Sequence, residues 1–397
     1  MLVINNLKIS GIGGISELEI NFNKGLNLIC GPNGVGKTTI LDSIAEAFST
    51  GQRNKVLKKN SNYTVGTCKL KYSIADFEEK NYTYEVQGFN PNEEVGFHSY
   101  LENEVYNLIY FKTGRSFLYQ ELGSISKDSE RDVHKLYAQS AEGIRFDDFK
   151  SWFINRYVFN HIDEQLGESE KKNIELSIKS FNVLQENISF KNIKHDTFDI
   201  FLETPNGDIY YEYLSSGFKS CLFIIQGLIK EIEFRFKNAS KIAVEDFQGV
   251  VLIDELDLHL HPHWQSKLLT ILREILPKAQ IIATTHSPHM IQNAAIEEII
   301  PLAMDQNGKL VLRDLPNSKY GYQGWTVEEI LVDVMGLEST HSFVYKENLK
   351  AFEEAIENEN IEEAQLRYRE LESMLHPNNP LPKILRLQIA DIGGVVE

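Results

Sequence analysis

A glycine-rich segment near the start of the chain limits its fold more than any other feature. Residues 31–38 read Gly-Pro-Asn-Gly-Val-Gly-Lys-Thr, a complete G-x-x-x-x-G-K-[ST] sequence. The segment follows the apolar run Leu26–Cys30 and precedes residues 40–48, where apolar side chains recur at helical spacing. A strand, a phosphate-binding loop and a helix in this order predict an α/β fold built around a P-loop.

The loop predicts a nucleotide site. Its glycines let backbone N–H groups turn toward phosphate oxygens, and the helix that follows adds the positive end of its dipole. Lys37 is expected to reach the β- and γ-phosphates of ATP, and the Thr38 hydroxyl to bind Mg²⁺. The predicted nucleotide-binding residues of this segment are Gly31, Pro32, Asn33, Gly34, Val35, Gly36, Lys37, Thr38 and Thr39.

Two adjacent carboxylates end a second apolar run, Val-Val-Leu-Ile-Asp-Glu at residues 250–255. At the end of a strand, Asp254 is expected to hold Mg²⁺, directly or through water. Glu255 is then placed to polarise the attacking water, so Glu255 and Lys37 are predicted catalytic residues. An acidic strand end that caps the next helix would account for one carboxylate, but not for both beside a P-loop.

Two weaker motifs become informative because of their order along the chain relative to the P-loop and the acidic pair. Residues 213–220 read Tyr-Leu-Ser-Ser-Gly-Phe-Lys-Ser, and residues 284–288 read Thr-Thr-His-Ser-Pro. Alone, the first predicts only a turn, and a lone histidine is more often a core residue than a catalytic one. The order of P-loop, Leu-Ser-Ser-Gly, Asp-Glu and Thr-Thr-His resembles the ATP-binding-cassette superfamily, over about 1–48 and 205–300.

This resemblance implies roles for five further residues. Ser215, Ser216 and Gly217 would cover ATP held by a second protomer, as the signature segment does in that superfamily. Asp257 would face that protomer, and His286 would be the catalytic switch histidine that senses the γ-phosphate. The resemblance also implies a head-to-tail, ATP-dependent dimer or a higher even oligomer.

The segment Asp-Glu-Leu-Asp-Leu-His-Leu-His-Pro at 254–262 resembles RecF-type and chromosome-maintenance-like soluble ATPases rather than transporter cassettes. Histidines at 259, 261 and 263 have the alternate spacing of a zinc site, but the resemblance explains them without metal. Arg115 follows a predicted strand and is the candidate for the glutamine-loop position, although it is not glutamine.

Three further segments resemble a narrower group: residues 146–153, the pair at 320–321 and residues 330–336. This is a bacterial group of stand-alone ATPases that includes the ATPase subunit of the Septu anti-phage system and related retron-linked proteins. The group acts with an HNH-type nuclease. The resemblance therefore implies ATP and Mg²⁺ as cofactors, a nuclease subunit as partner, and contact with DNA through that partner.

The pattern predicts an ABC-type P-loop ATPase head with a mixed sheet, formed by 1–48 and 205–315. Residues 49–204 are predicted to be an inserted lateral region with a β-hairpin, a buried strand at 106–111 and mostly polar helices. Residues 316–397 are predicted to be a helical region. Its acidic helical hairpin has two interpretations, a solvated cap or a docking surface for another protein.

The charge composition bears on whether the chain itself binds nucleic acid. The 57 acidic residues exceed the 40 basic ones, for a net charge of −17, which disfavours a protein that coats nucleic acid. The alternative function, a RecF-like repair or chromosome-maintenance ATPase that grips DNA, would need the basic clusters at 53–59 and around Lys172 and Lys191. Solvated charge runs explain such clusters more often.

The cysteines and the apolar segments bear on the cellular location of the chain. Three isolated cysteines form neither a disulfide framework nor a C-x-x-C zinc site. No apolar stretch approaches the roughly 20 residues of a membrane span, and no secretory signal is present. We therefore expect a cytoplasmic protein without a membrane partner, and no nuclease domain within the chain.

Overall fold

The computed structural model describes residues 1–49, 56–74, 79–93, 101–115, 117–125, 127–128, 131–237, 240–316 and 319–395. The chain divides into two compact units, Met1–Gly336 and Leu337–Glu397. Residues 316–336, predicted as part of the C-terminal helical region, belong to the first unit. The reason is burial, because Tyr322, Ile330 and Val334 lie in the core of that unit.

The strands are β1 (Leu2–Ile12), β2 (Ile15–Asn21), β3 (Leu26–Cys30), β4 (Gly66–Ile74), β5 (Lys80–Val86), β6 (Leu108–Phe111), β7 (Ser189–Ile193), β8 (Ile200–Thr204), β9 (Gly207–Tyr210), β10 (Val250–Ile253), β11 (Gln280–Thr284), β12 (Ile299–Met304) and β13 (Leu310–Leu312). The helices of the first unit are α1 (Lys37–Glu46), α2 (Val133–Glu142), α3 (Phe149–Asn160), α4 (Glu168–Val183), α5 (Ser216–Arg235), α6 (Pro262–Ile275), α7 (Pro288–Gln292) and α8 (Val327–Glu329), which continues as a π-helix over Ile330–Val334. The second unit contains α9 (Phe343–Glu357), α10 (Ile361–Met374) and α11 (Leu381–Asp391).

The central sheet has the order β13-β12-β3-β11-β10-β6. Strands β12, β3, β11, β10 and β6 are parallel, and β13 pairs antiparallel with β12. Strands β3, β10 and β11 are buried along their whole length and mostly apolar because both sheet faces are covered, by α1 on one side and α5 on the other. The predicted mixed sheet is confirmed, and the carboxyl ends of these three strands meet at one edge.

The stretch 49–204 contributes to more than one layer. The predicted hairpin is present as β4 and β5, and β4 also pairs with β1 to give an antiparallel sheet of order β2-β1-β4-β5. The predicted buried strand is β6, which pairs with β10 in the central sheet. Residues 75–78, at the end of the predicted hairpin strand, lie outside the described residues.

Helices α3 and α4 pack with α5 in a lateral layer, and α2 is joined to α5 by the hydrogen bond from Gln139 to Glu231. The prediction of mostly polar helices is wrong for α3, whose Phe149, Trp152 and Phe153 are buried in the main core. The aromatic side chains are needed there because α3 packs against both α4 and α5. The polar pattern was misleading because charged side chains of this layer are themselves buried, as Lys150 is beside Asp199.

The second unit is a three-helix packing with its own small core, which includes Phe352, Tyr368 and Ile389. The predicted hairpin is confirmed as α9 and α10. Glutamates of these helices, among them Glu353 and Glu357, are exposed. Among the described residues, no helix is long and apolar enough to cross a membrane.

Candidate functional site

The P-loop joins β3 to α1 in a conformation that requires glycine. Gly31 has φ 145° and Gly36 has φ 98°, both in the region that L side chains avoid. A Cβ atom at Gly31 would lie 2.5 Å from the carbonyl oxygen of Leu302, because the loop passes close to β12. The loop therefore turns tightly at the carboxyl end of β3 and delivers the first turn of α1 to that edge.

Lys37 is the first residue of α1 and is only 6% exposed. Its Nζ donates hydrogen bonds to the carbonyl oxygens of Gly31, at 2.9 Å, and Pro32, at 2.8 Å. Burial lowers the pKa of Lys37. In the described part of the chain the ammonium has carbonyl partners and no carboxylate partner, so its charge is not balanced by an ion pair.

Three oxygen-bearing side chains meet beside the P-loop. The Thr38 hydroxyl donates to both carboxylate oxygens of Asp254, at 3.0 and 3.1 Å, and the Thr284 hydroxyl donates to Asp254 Oδ1 at 2.7 Å. Mg²⁺ binds oxygen ligands and commonly takes one or two protein carboxylates together with substrate phosphates. The hydroxyl and carboxylate oxygens brought together here therefore fit a magnesium ion bound with a nucleotide.

Glu255 follows Asp254 in an unusual backbone conformation. Its φ is 48°, in the left-handed region, and its side chain is half-buried. The Glu255 N–H donates to the Thr284 hydroxyl at 2.6 Å. Arg115, the candidate for the glutamine-loop position, is 3% exposed and donates to the backbone carbonyl of Asp254. The structure thus places Arg115 behind the acidic pair rather than at an open surface.

Asp257 and His286 also come together. Asp257 Oδ1 accepts a hydrogen bond from the Thr285 hydroxyl at 2.7 Å and from the His286 backbone N–H at 2.9 Å. Burial lowers the pKa of His286, and the charge of Lys37 lowers it further. The His286 imidazole is therefore neutral at neutral pH and lies in the electrostatic field of the P-loop lysine.

The signature segment lies at the start of α5. Ser215 and Ser216 are exposed, and the Ser215 hydroxyl caps the helix by accepting from Phe218 N at 3.3 Å. Gly217 packs against the backbone of His259. A Cβ atom at position 217 would lie 2.5 Å from the His259 carbonyl oxygen. Within the described residues, neither serine shares a hydrogen bond with the P-loop of the same chain.

The histidines at 259, 261 and 263 have structural surroundings. His259 has φ 65°, and His261 caps α6, accepting from His263 N–H at 3.3 Å. Among the described residues, no group of three or more His, Cys, Asp or Glu could hold a metal ion. The pair of Thr38 and Asp254 is smaller than such a group, so a magnesium ion there would need phosphate oxygens or water as further ligands.

Sequence reasoning missed an acidic pair on the same helix. One turn after Thr38, Asp42 forms an ion pair with Lys112 at 3.0 Å and accepts from the Tyr110 hydroxyl at 2.9 Å. One turn further, Glu46 is 5% exposed, and burial raises its pKa to about 7. The spacing of four residues from Thr38 to Asp42 and on to Glu46 was the signal, since such residues share one helix face.

A P-loop after the central β3 strand, an acidic pair after β10 and a Leu-Ser-Ser-Gly start to α5 define an ABC-type P-loop ATPase. The sequence profile described as "AAA domain, putative AbiEii toxin, Type IV TA system" matches residues 26–291. The Septu protein PtuA of Bacillus thuringiensis is 52% identical over 399 residues, which cover 100% of both chains. The chain therefore belongs to this AAA-domain family and, within it, to the family of the Septu protein PtuA.

More distant relatives agree with this placement. A Septu protein PtuA of Bacillus mycoides is 24% identical over 83% of this chain and 44% of its own length. The retron Vc95 probable ATPase of Vibrio cholerae is 25% identical over 75% of this chain and 72% of its own. Among solved structures, an Smc head domain from Pyrococcus furiosus covers 79% of this chain and 96% of its own at 16% identity, with a TM-score of 0.47. Family membership rests on the sequence relatives.

Proposed function

We propose that this chain is the ATP-binding and ATP-hydrolysing switch subunit of a bacterial anti-phage defence complex. One observation carries the proposal: the Thr38 hydroxyl and the Asp254 carboxylate lie 3.0 Å apart, beside a buried Lys37 that has no carboxylate partner in the described structure. An anion and a divalent cation bound together would balance both charges, and Mg²⁺-bound ATP has that composition.

Each residue of the edge then has a role in phosphoryl transfer to water. Lys37 and the P-loop amides of Gly34 and Gly36 would bind the phosphates, while Thr38 and Asp254 would hold Mg²⁺. The bound ion would neutralise charge that develops between the β- and γ-phosphates. Glu255 orients the attacking water.

His286 completes this arrangement at the γ-phosphate. Its neutral imidazole offers one N–H donor, and its backbone is held by Asp257 at 2.9 Å. A neutral donor can sense the terminal phosphate without adding a second buried positive charge beside Lys37. Loss of the γ-phosphate would remove its partner and so distinguish ATP from ADP.

The ATP is enclosed between two protomers. Support comes from the exposed Ser215 and Ser216, which share no hydrogen bond with their own P-loop in the described residues. An exposed aromatic side chain precedes them in the chain, since Tyr213 is 72% exposed. The Tyr213 ring is held against Tyr210, with ring centroids 5.2 Å apart. A second protomer that presents its bound ATP would cover this surface, giving a head-to-tail dimer or a higher even oligomer.

Glu255→Gln tests both parts of this proposal. The amide cannot act as a base, so steady-state ATP hydrolysis should fall by about 10²- to 10⁴-fold while ATP binding persists. Light scattering should then show a mass increase of this variant when ATP and Mg²⁺ are added. Glu245→Gln, in an exposed ion pair with Lys172, is the matched control. Hydrolysis by Glu255→Gln at the wild-type rate contradicts the catalytic assignment, and an unchanged monomer mass contradicts the ATP-enclosed dimer.

The partner controlled by the switch is an HNH-type nuclease subunit. The support is the resemblance to the Septu and retron-linked group, together with the exposed glutamates of α9 and α10, which suit a basic protein surface and repel DNA. Replacing Glu353, Glu357 and Glu362 by glutamine should weaken capture of the co-expressed nuclease and leave ATP hydrolysis unchanged. Glutamine at the exposed Glu17 and Glu85 of the antiparallel sheet β2-β1-β4-β5 is the control. Equal capture by both variants would remove α9 and α10 from the interface.

A protein that grips DNA directly would behave differently. Duplex DNA would then raise ATP hydrolysis by the isolated chain, and the effect would fade steeply between about 50 and 200 mM salt. The described basic residues favour the opposite result. Lys58 and Lys59 donate to backbone carbonyls, and Lys191 pairs with Asp208 at 2.6 Å. Arg53 and Lys55 lie outside the described residues. We expect DNA to act only through the nuclease subunit.

A further inference from the structure

We propose that Arg115 is a positioning residue for ATP hydrolysis, which orients Glu255 by holding the peptide group that joins it to Asp254. The inference rests on the proposed function and adds a residue to it. Arg115 touches neither the P-loop nor the carboxylate of Glu255 through a hydrogen bond; its contacts are with backbone carbonyls. Its effect on the reaction therefore passes through the backbone.

Side chains hold both ends of this peptide group. Arg115 Nη2 donates to the Asp254 carbonyl oxygen, and the Glu255 N–H donates to the Thr284 hydroxyl at 2.6 Å. A peptide group is planar, so fixing its oxygen and its hydrogen fixes its orientation. The orientation of the peptide in turn sets the direction in which the Glu255 side chain leaves the backbone.

The neighbouring backbone is anchored to the strands on either side. Asp254 N donates to the Phe111 carbonyl at the end of β6, and Leu256 N donates to the Thr284 carbonyl at the end of β11, both at 2.8 Å. These bonds hold the start and the end of the turn. The peptide between Asp254 and Glu255 lies between these two anchors and depends on the two side-chain contacts.

The turn needs such support because Glu255 adopts φ 48°. A residue with a Cβ atom in the left-handed region costs about 1 kcal/mol or more relative to its ordinary conformations. Without the hydrogen bond from Arg115, rotation of the peptide group would let Glu255 relax toward a conformation that aims its carboxylate elsewhere.

Burying an arginine at this position costs folding free energy, and this cost argues that Arg115 has a function. Arg115 Nε donates to the Lys112 carbonyl at 3.1 Å, and Nη1 has no hydrogen-bond partner among the residues that the structure describes. In the described residues no ion pair neutralises the guanidinium, and burial lowers the pKa of Arg115 to about 10. A neutral side chain could fill the space at lower cost, whereas the planar guanidinium supplies two donors at a fixed spacing to two carbonyls.

Arg235, the last residue of α5, provides a control arginine that contacts the start of β6. It is 6% exposed, donates to the carbonyls of Val105 and Leu108, and has its pKa lowered by burial to about 10. Leu108 begins β6, whereas Arg115 follows the end of that strand at the nucleotide edge. The two arginines therefore match in burial and both donate to backbone carbonyls. Arg235 differs in that it also donates to Gln139 Oε1 at 2.7 Å, pairs with Glu231 at 3.8 Å, and lies at the opposite end of β6 from the site.

The test measures kcat for ATP, the dissociation constant of ATP and the thermal midpoint for Arg115→Met and Arg235→Met. We expect Arg115→Met to lower kcat about 10- to 100-fold, because small misplacements of a catalytic group have effects of this size. Its ATP dissociation constant should stay within about threefold of wild type. Arg235→Met should lower the thermal midpoint at least as much as Arg115→Met does and leave kcat within about threefold of wild type.

Arg115→Lys keeps one hydrogen-bond donor and should restore part of the rate. This variant guards against misfolding of the methionine variant.

A double variant supplies the decisive readout. If Arg115 acts through Glu255, adding Arg115→Met to Glu255→Gln should lower the residual single-turnover rate by less than about threefold. The inference is overturned if the double variant loses rate by the product of the two single effects. It is also overturned if Arg115→Met and Arg235→Met lower kcat equally. Either result leaves the proposed function intact. A loss of ATP affinity equal to the loss of kcat assigns Arg115 to binding instead. A wild-type protein that does not hydrolyse ATP contradicts the proposed function as well.

Discussion

Two regions of the molecule bury charged side chains, and they treat those charges in opposite ways. In the lateral helical layer, Arg131 pairs with the fully buried Glu231 at 2.8 Å. At the nucleotide edge, Lys37 and Arg115 donate to backbone carbonyls, and Asp254 accepts from two hydroxyls. The helical layer thus neutralises its charges internally, whereas the nucleotide edge does not.

The pKa values record the same difference. Burial alone would raise the pKa of Glu231, but Lys230 and Arg131 lower it to about 2. At the nucleotide edge burial prevails, and the pKa values of Lys37 and Arg115 are both lowered. Buried charges without ion-pair partners cost stability, and such groups concentrate at sites where a ligand completes them. The contrast separates charges that stabilise the fold from charges available to a ligand.

The largest effect should follow from breaking the internal pairing of the helical layer. Glu231→Gln removes the negative charge that lies against three buried cations, Arg131, Lys230 and Arg235, and leaves less negative charge to balance them. Loss of one partner of a buried ion pair costs about 3–5 kcal/mol. Denaturant unfolding should show a loss of that order, with kcat for ATP nearly unchanged in the folded protein.

The matched control is Glu245→Gln, whose exposed pair with Lys172 should contribute at most about 1 kcal/mol. The effect also has a pH dependence. Because the folded pKa of Glu231 is below its ordinary value of 4.5, its contribution is present above pH 4.5 and is lost as pH falls toward 2. Equal stability of both variants would show that the helical layer does not depend on its ion pairs.

A smaller effect of opposite sign is expected at Glu46. This carboxyl group is buried near Asp42, Lys112 and Tyr84, and within the described part of the chain its Oε1 has no hydrogen-bond partner. Burial raises the folded pKa of Glu46 from 4.5 to about 7. Its contribution to the stability of the fold is therefore fully present below pH 4.5 and is lost as pH rises through 7. Glu46→Gln should therefore stabilise the protein by about 2 kcal/mol at pH 8 and by much less at pH 5.

Thermal unfolding of wild type and Glu46→Gln at the two pH values measures this directly. Asp42→Asn, in which the ion pair with Lys112 is lost, is the informative comparison. Burial raises the pKa of Asp42 as well, but Lys112 opposes this, so any gain in stability at pH 8 should be smaller than that of Glu46→Gln. A gain for Glu46→Gln that is the same at pH 5 and pH 8 would mean that the Glu46 carboxyl does not titrate between them.

The strands and loops of the site were predictable because they have local signals. The P-loop sequence, the apolar runs of β10 and β11 and the carboxylates at 254–255 lie within short segments whose chemistry is fixed by spacing. The positions of Lys37, Thr38, Asp254 and Glu255 at one edge then follow from parallel strand pairing. That much could be predicted from the sequence.

The supporting contacts could not be predicted, since they join residues distant in sequence. Arg115 reaches the Asp254 carbonyl across 139 positions, and Thr284 reaches Asp254 across 30. The aromatic burial of α3 was also missed, because Lys150 and Arg156 on that helix look solvated in sequence yet form buried ion pairs. Partners for such residues are set by tertiary packing.

Calorimetric titration of wild type and Lys37→Met with Mg²⁺-bound ATP tests the central claim most directly, namely that the unpaired charges of this edge are completed by a nucleotide. We predict one ATP bound per wild-type protomer and no measurable binding by Lys37→Met. The variant should also unfold within about 1 kcal/mol of wild type or at higher stability, because it loses a buried charge whose pKa burial has already lowered. Equal ATP affinity of a folded Lys37→Met variant would contradict the account.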